Sequence, residues 1–311
     1  MRIVFMGTPD FAVPSLKALL RSDHRVVGVV TQPDRPKGRG QEFVVSPIKQ
    51  LAVQHNIPIL QPLKMKDPAF LEALSAWKPD LIVVAAFGRI LPKIILDLPP
   101  RNCVNVHASL LPKYRGAGPI QWAIINGERE TGITTMLMDE GMDTGAILLQ
   151  ERMPIAPDDT AGTLSAKLAE VGGKLLIETI ARLEKGALVP QPQEHAQATM
   201  APLLKKEDGL LDWTLTAEQL ANRVRGLSPW PGAYTFAKGD RWTIWRTSAS
   251  GQSASAAPGT IHGTTKDAML VATGKGLLAV TELQPANSRR MTAAQYLAGH
   301  PLAPGLVLGA A

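Results

Sequence analysis

LIVVAAFGRILPKIILDLPPRNCVNVHASLLP, residues 81–112, decides how the first half of the chain is read. It opens on LIVVAAF, a short apolar run rich in β-branched residues, and closes on CVNVH, where polar and apolar residues alternate. Both are strand signals, because β-branched side chains suit a pleated surface and a strand alternates its faces with a period of two. In the second strand Cys103, Asn105 and His107 face one way, and Val104 and Val106 the other. The strand then runs into SLLP and stops at Pro112. An amide and an imidazole on one strand face need a reason.

Working outward, RIVFMG (2–7) and RVVGVVTQ (25–32) are similar apolar runs. Between them PSLKALL carries helical spacing at Leu16, Leu19 and Leu20, with Pro14 near its start. IPILQ (57–61) reads as another strand, and a helix is expected near Pro68–Trp77. TTMLMD (134–139) and AILLQERMPI (146–155) read as two more strands around a tight GMDTG turn. Thr160 to Gly186 reads as one long helix, with Gly172-Gly173 as a point where it can kink. The rhythm predicts an α/β fold with a doubly wound, mostly parallel sheet and helices on both faces.

ALVPQPQEHAQATMAPLLKKED (187–208) loses all periodicity and gathers three prolines, so it reads as a linker. Beyond it TAEQLANRVRGL makes a short helix. WTIWRT, GTIHG, MLVAT and LLAVTEL are short strand-like runs, and GQSASAAPG (251–259) is a loop. A small β-barrel or sandwich is expected. The expected division is therefore a first domain at 1–186, a linker at 187–208 and a second domain at 209–311.

The bulk numbers set bounds. The chain has 311 residues, 45% of them hydrophobic and 19% charged, enough for packed cores and against general disorder. A single cysteine excludes an internal disulfide framework and a cysteine-based zinc site, and points to a reducing compartment. The four-residue apolar run ended by Gly7 is too short for the core of a signal peptide, and no run has the length of a membrane span. A cytoplasmic protein with no membrane association is expected. The net charge is +6, unevenly spread: from Lys205 onward there are 11 Lys and Arg against 7 Asp and Glu, so +4 in about a third of the chain. A basic second domain suits a polyanionic partner, although charge alone favours the plainer reading of a solvated, mildly basic surface.

Ligands of a doubly wound sheet bind at the carboxyl ends of its strands, where Asn105 and His107 lie. A lone histidine there reads as readily as a core residue; two polar groups sharing one face at a strand end favour a site. In GMDTG, Gly141 and Gly145 bracket Asp143 and permit a backbone path that presents its carboxylate, though Asp and Gly are also ordinary turn residues. A carboxylate meeting that histidine and asparagine makes apparatus for acyl-type transfer without a covalent enzyme intermediate. No G-x-S-x-G elbow is present, nothing marks Ser109 as a nucleophile, and Cys103, further back in the strand, is a packing residue. GTPDF (7–11) has neither a G-x-G-x-x-G nor a Walker pattern. QPDRPKGRGQ (32–41) sets Arg35, Lys37 and Arg39 in an exposed loop from which cations can reach phosphates, although the sequence alone reads equally well as a disordered, solvated loop. No spacing of metal ligands appears.

GTPDFA, TQPDRPKGRG, SPIK, N-x-H-x-SLLPKYRGAGPIQWAI, ETGITTM and MDEGMDTG, with LLDW, RVRGLSPWPGAYT and PGTI further on, together resemble the bacterial methionyl-tRNA formyltransferases nearly from end to end. N-x-H-x-SLLP with D-x-G alone would be shared by the wider group that uses 10-formyltetrahydrofolate. The resemblance implies a Rossmann-like catalytic domain and a smaller C-terminal β-barrel related to the OB-fold. It implies formyl transfer from 10-formyltetrahydrofolate to the α-amine of methionine on initiator tRNA, with no metal and no obligate protein partner; a monomer is expected. Catalysis would rest on Asn105, His107 and Asp143, with Asn105 and protonated His107 facing the oxyanion and Asp143 orienting the histidine and helping to move a proton. The folate would lie against Phe87, Gly88, Ile90, Leu91, Ser109, Leu110, Leu111, Pro112 and Asp139. Arg35, Lys37 and Arg39 would approach the tRNA acceptor end, and Lys205, Lys206, Arg223 and Arg225 are phosphate-contact candidates from charge and position alone. The alternative is a relative of the same folate-dependent group that acts on a small amine.

Overall fold

The computed structural model describes residues 1–37, 42–252 and 255–309. Its contacts divide the chain into two compact units: Met1–Pro119, Glu130–Pro154 and Ser165–Pro202 form the first, and Ile120–Arg129, Ile155–Leu164 and Leu203–Ala311 the second. The two short stretches Ile120–Arg129 and Ile155–Leu164 thus pack with the C-terminal part of the chain.

The first unit is built on a seven-stranded sheet. Its strands are β1 (Arg2–Gly7), β2 (Arg25–Val30), β5 (Ile59–Leu60), β6 (Leu81–Ala85), β7 (Cys103–His107), β8 (Glu130–Leu137) and β9 (Ile147–Pro154). In space the order is β5-β2-β1-β6-β7-β8-β9. The first five run parallel, while β7–β8 and β8–β9 pair antiparallel. The chain winds outward from β1 through helices α1 (Val13–Leu20) and α2 (Pro47–Gln54). It then crosses through α3 (Pro68–Ala76) to β6 on the other side of β1, so the topological switch lies between β1 and β6. Short α4 (Lys93–Leu96) connects β6 to β7.

The alternation in CVNVH holds. Cys103 joins an apolar cluster with Phe70, Leu74, Ile95 and Leu96, under α3 and α4. Val106, on the opposite face, meets α6 (Ala161–Glu184) at Gly172, where a Cβ would stand 3.0 Å from the Val106 side chain. At Gly173 a Cβ would stand 2.9 Å from the Pro14 carbonyl oxygen. The two glycines predicted as a kink therefore let one uninterrupted helix lie close to β7 and α1.

One expectation is corrected outside the sheet. The stretch 32–41, read as a loop, contains half of a hairpin: β3 (Arg35–Lys37) pairs antiparallel with β4 (Glu42–Val44). Alternating Pro and basic residues hide this, because edge pairing of three residues leaves no periodicity to read. Arg39 lies outside the described residues.

The second unit is an antiparallel sheet in the order β12-β13-β14-β11-β10-β16, with β15 paired to β14. These strands are β10 (Ala233–Ala237), β11 (Asp240–Ala249), β12 (Ile261–Thr264), β13 (Met269–Ala272), β14 (Leu277–Pro285), β15 (Met291–Thr292) and β16 (Leu308–Gly309). Its two edges are joined next to β12 and β16. The Ile261 amide donates to Leu306 at 2.7 Å and the Leu308 amide to Gly259 at 2.8 Å, which curls the sheet into a barrel. Trp213, Trp242, Ile244, Val271 and Leu283 fill it, and α7 (Ala217–Gly226) adds Leu220 and Val224. A capping box of Thr216 and Gln219 starts α7, and a second one of Thr292 and Gln295 starts α8 (Ala293–Gly299). The seven-residue helix α5 (Pro119–Ile125) packs Trp122 and Ile125 against the same core.

Candidate active site

At the end of β7 the structure brings Asn105, His107 and Asp143 together. Asn105 Nδ2 lies 3.4 Å from Asp143 Oδ1, and His107 Nδ1 lies 3.6 Å from Asp143 Oδ2. The His107 side chain is 6% exposed and that of Asp143 18%. His107 Nε2 is 2.9 Å from the Tyr114 carbonyl oxygen. A carbonyl only accepts, so Nε2 carries a proton and Nδ1 is the nitrogen turned to the carboxylate. The amide of Gly116 donates to Asp143 Oδ2 at 2.8 Å. The carboxylate is therefore held by one strong bond and faces two looser partners, an arrangement with hydrogen-bonding capacity left for a ligand.

The GMDTG turn works differently from its sequence reading. Asp143 itself takes the left-handed conformation, at φ 54°. Gly145 is required for space: a Cβ there would stand 1.8 Å from the Leu137 carbonyl oxygen. The loop thus folds tightly back on the end of β8, which carries Asp143 over the face of β7.

Phe87 and Leu91 are buried in the cluster that holds Cys103, and Met138, next to Asp139, packs on the same cluster. Gly88 (φ 72°) and Ile90 (73% exposed) remain at the surface of that turn, with exposed Ala86. Asp139 is exposed and accepts from the Gly141 amide and from Thr144 Oγ1 at 2.7 Å. Ser109, Leu110, Leu111 and Pro112 stand apart from these, against β8 and β9: the Leu111 amide donates to Thr134 Oγ1, and Gln150 Nε2 donates to the Leu111 carbonyl. Ser109 is fully buried and donates to the Lys113 carbonyl at 2.6 Å, so it is no free nucleophile. Burial pushes the Cys103 thiol up to about 12.

The basic residues divide. Lys205 and Lys206 are exposed. Arg223 donates to the Asp208 carbonyl at 2.6 Å. Arg225 donates to the Asp159 carbonyl at 2.9 Å and to Asn222 Oδ1 at 2.7 Å, and burial lowers its pKa against the pull of Asp159 and Asp158. The backbones of Arg35 and Lys37 lie in the β3–β4 hairpin.

Sequence reading missed the segment that supports the site. Residues 187–202 are irregular, as their prolines predict, yet they are laid along the first unit: Gln191 bridges Ile147, and Met200 bridges Arg115. Gln193, buried, donates from Nε2 to the carbonyls of Asp143 and Gly145 at 2.8 and 2.7 Å. Arg115, also buried, donates to Gln193 Oε1 at 2.7 Å. Neither residue belongs to a periodic pattern, and no spacing announces them. Among the described residues no group of three or more His, Cys, Asp and Glu could hold a metal ion, and no helix is long and apolar enough to cross a membrane.

A doubly wound sheet that gathers an amide, an imidazole and a carboxylate at the carboxyl end of β7, one strand from its switch point, suits a ligand-binding, group-transfer site. Residues 1–180 match the family model described as formyl transferase, and residues 203–301 match that of the formyl transferase C-terminal domain. The chain belongs to the formyl transferase family. It is 54% identical over 308 residues to the methionyl-tRNA formyltransferase of Desulfotalea psychrophila, covering 99% of this chain and 95% of that protein. With the methionyl-tRNA formyltransferase of Trichlorobacter lovleyi it shares 53% over 307 residues, covering 99% and 96%. Among solved structures, the N-formyltransferase of Helicobacter canadensis in complex with folinic acid and dTDP-3-aminofucose matches with a TM-score of 0.70 at 18% identity, covering 94% of this chain and 100% of that one. That likeness is one of fold.

Proposed function

We propose that the chain transfers the formyl group of 10-formyltetrahydrofolate to the α-amine of methionine carried by initiator tRNA, as a monomer in the cytoplasm. The observation that carries this reading is the identity of 54% with a methionyl-tRNA formyltransferase over 99% of the chain, the second domain included. A small amine acceptor is the second reading, and the fold is shared with an N-formyltransferase solved in complex with dTDP-3-aminofucose. That shared fold, at 18% identity, does not bear on the acceptor.

Bound 10-formyltetrahydrofolate supplies the formyl carbon, and its N10 is the leaving group. The protein's residues do the rest. Asn105 Nδ2, long at 3.4 Å from Asp143, is the donor most free to turn to the formyl oxygen as negative charge gathers there. Asp143, fixed by the Gly116 amide, takes the proton that the attacking amine must lose, directly or through a water, and returns it to N10 as the formyl–N10 bond breaks. His107, bonded to the Tyr114 carbonyl at Nε2, turns Nδ1 to the same carboxylate and helps to orient it. The fit to folate rests on the 86–91 turn, which anchors itself through Phe87 and Leu91 and leaves main chain and the apolar side chain of Ile90 at the surface. That combination suits a flat ring with a hydrogen-bonding edge. Lys205 and Lys206 have exposed side chains and act as phosphate contacts, with Arg35, Lys37 and Arg39 as the second basic group. Arg223 and Arg225 spend donors on carbonyls of their own chain, which argues for a structural share in their role.

The deciding assay offers the purified protein 10-formyltetrahydrofolate and, separately, methionine-charged initiator tRNA and small amine acceptors such as glycinamide ribonucleotide. Formylation of the charged tRNA alone is expected. Transfer only to a small amine would move the protein to the second reading, and transfer to neither would remove both.

A further inference from the structure

From the hydrogen bonds behind the site we infer that Gln193 is a positioning residue for Asp143. This rests on the role given to Asp143 above. A non-glycine residue in the left-handed region, as Asp143 is at φ 54°, persists only where its surroundings over-determine it. Two contacts do so. The Gly116 amide holds the carboxylate at 2.8 Å, and Gln193 Nε2 clamps the main chain on both sides of Thr144, at the carbonyls of Asp143 and Gly145.

The orientation of the Gln193 amide is itself fixed. Arg115 donates to its Oε1 from Nε at 3.1 Å and from Nη2 at 2.7 Å. A guanidinium has donors only, so Oε1 must face Arg115 and Nε2 must face the loop. Arg115 is 6% exposed and donates as well to His195 Nδ1 at 3.2 Å. Its main chain is fastened to the same segment, with its amide on the Thr199 carbonyl at 2.8 Å and its carbonyl accepting from Ala201 at 2.7 Å. Arg115 and Gly116, adjacent in sequence, therefore set Asp143 twice: through Gln193 at its backbone and through the Gly116 amide at its carboxylate.

The segment reaches His107 too. Thr199 Oγ1 accepts from the Tyr114 amide at 2.9 Å, and the Tyr114 carbonyl is the partner of His107 Nε2. Residues 193–201 thus fix the separation of imidazole and carboxylate from outside the sheet. Gln193 contributes no reacting atom; it sets where one stands.

The test compares the full chain with Gln193→Met, which keeps the length and loses all hydrogen bonding, and Gln193→Glu, which keeps the acceptor toward Arg115 and loses both donated bonds. Readouts are kcat and KM for formyl transfer to charged initiator tRNA, the melting midpoint, and hydrogen exchange at the Gly116 amide. Positioning predicts a fall in kcat of about a hundredfold in both variants, the scale of an ångström of misplacement. KM for either substrate stays within about twofold and the Gly116 amide exchanges faster, as expected when only a local contact is released. A wild-type kcat in either variant, or a reduced kcat with unchanged exchange at Gly116, overturns the inference. If the Met variant does not fold, the Glu variant decides. If the wild-type chain formylates nothing, the functional reading falls, and exchange at Gly116 still tests the clamp.

Discussion

The end of β7 and the last turn of α7 both place charged groups against apolar packing, and they treat them in opposite ways. At β7 the Asp143 carboxylate has one short bond, from the Gly116 amide, and faces Asn105 and His107 at 3.4 and 3.6 Å. At α7 the Arg225 guanidinium is committed to the Asp159 carbonyl and to Asn222 Oδ1 at 2.9 and 2.7 Å. The first group is held but unsaturated, so a ligand can complete it. The second is satisfied by its own chain and stabilises the unit it belongs to. Composition cannot separate these cases, because both are charged residues in otherwise apolar surroundings. The partner atoms separate them.

Breaking the unsaturated side should have the largest effect. Asp143→Asn is expected to lower kcat for formyl transfer by roughly a thousandfold, and Asn105→Ala by roughly a hundredfold, the range for removing preorganised charge or one oxyanion donor. Single-turnover transfer to charged tRNA checks both. A variant within tenfold of wild type would show that the geometry at β7 does not serve the reaction.

Cys103 sharpens the contrast within one strand face. It lies two residues before Asn105, yet it is buried and its thiol is pushed up to about 12. At pH 8 the thiolate is then scarcer by about three orders of magnitude than for a free cysteine, and alkylation of the folded protein should be slower by at least that factor. A thiol that reacts rapidly in the native state would mean that the whole face is open, not only its end.

The satisfied side predicts a change of another kind. Arg225→Met removes the donor from the Asp159 carbonyl and should cost about 1–3 kcal/mol of stability, read as a lower urea midpoint, with tRNA affinity little changed. Lys205→Ala with Lys206→Ala should do the reverse: an unchanged midpoint, weaker tRNA binding, and a salt dependence of log K shallower by about 1.5–2. If Arg225→Met weakens tRNA binding and leaves stability intact, the two regions are not opposites after all.

What was legible in the sequence follows the same line. The parallel sheet, the strand at Cys103–His107 and the meeting of Asn105 and His107 with Asp143 rest on periodicity and on residue types at strand ends, which a linear reading can see. The clamp at Gln193 depends on a segment with no period, whose placement is set by hydrogen bonds to residues some 80 positions earlier. The hairpin of Arg35–Lys37 with Glu42–Val44 is too short to show alternation. Asp143 shows the intermediate case: its importance is visible in G-x-D-x-G, but the left-handed φ falls on the aspartate, because Gly145 is needed against the Leu137 carbonyl. Steric exclusion between distant backbone atoms leaves only an unexplained glycine in the sequence.

The smallest expected effect tests the comparison where it should vanish. Asp34 pairs with Lys49 and accepts from Gln61 at 3.0 Å, and these hydrogen bonds, that from Lys49 first, hold its carboxyl below the usual range. It is neither unsaturated for a ligand nor buried enough to be costly, with the side chains 21% and 25% exposed. A depressed folded-state value means that the stabilisation is fully present above the unfolded pKa near 3.8 and is lost as pH falls through the lower folded value. Solvent screening limits it to about 0.5 kcal/mol. Asp34→Asn should therefore lower the urea midpoint slightly at pH 7, and the difference from wild type should shrink as pH falls through the depressed folded value. A gap that persists at low pH would mean that the Asn side chain disturbs the packing of α2 itself, and that Asp34 belongs with Arg225 among the groups that hold structure.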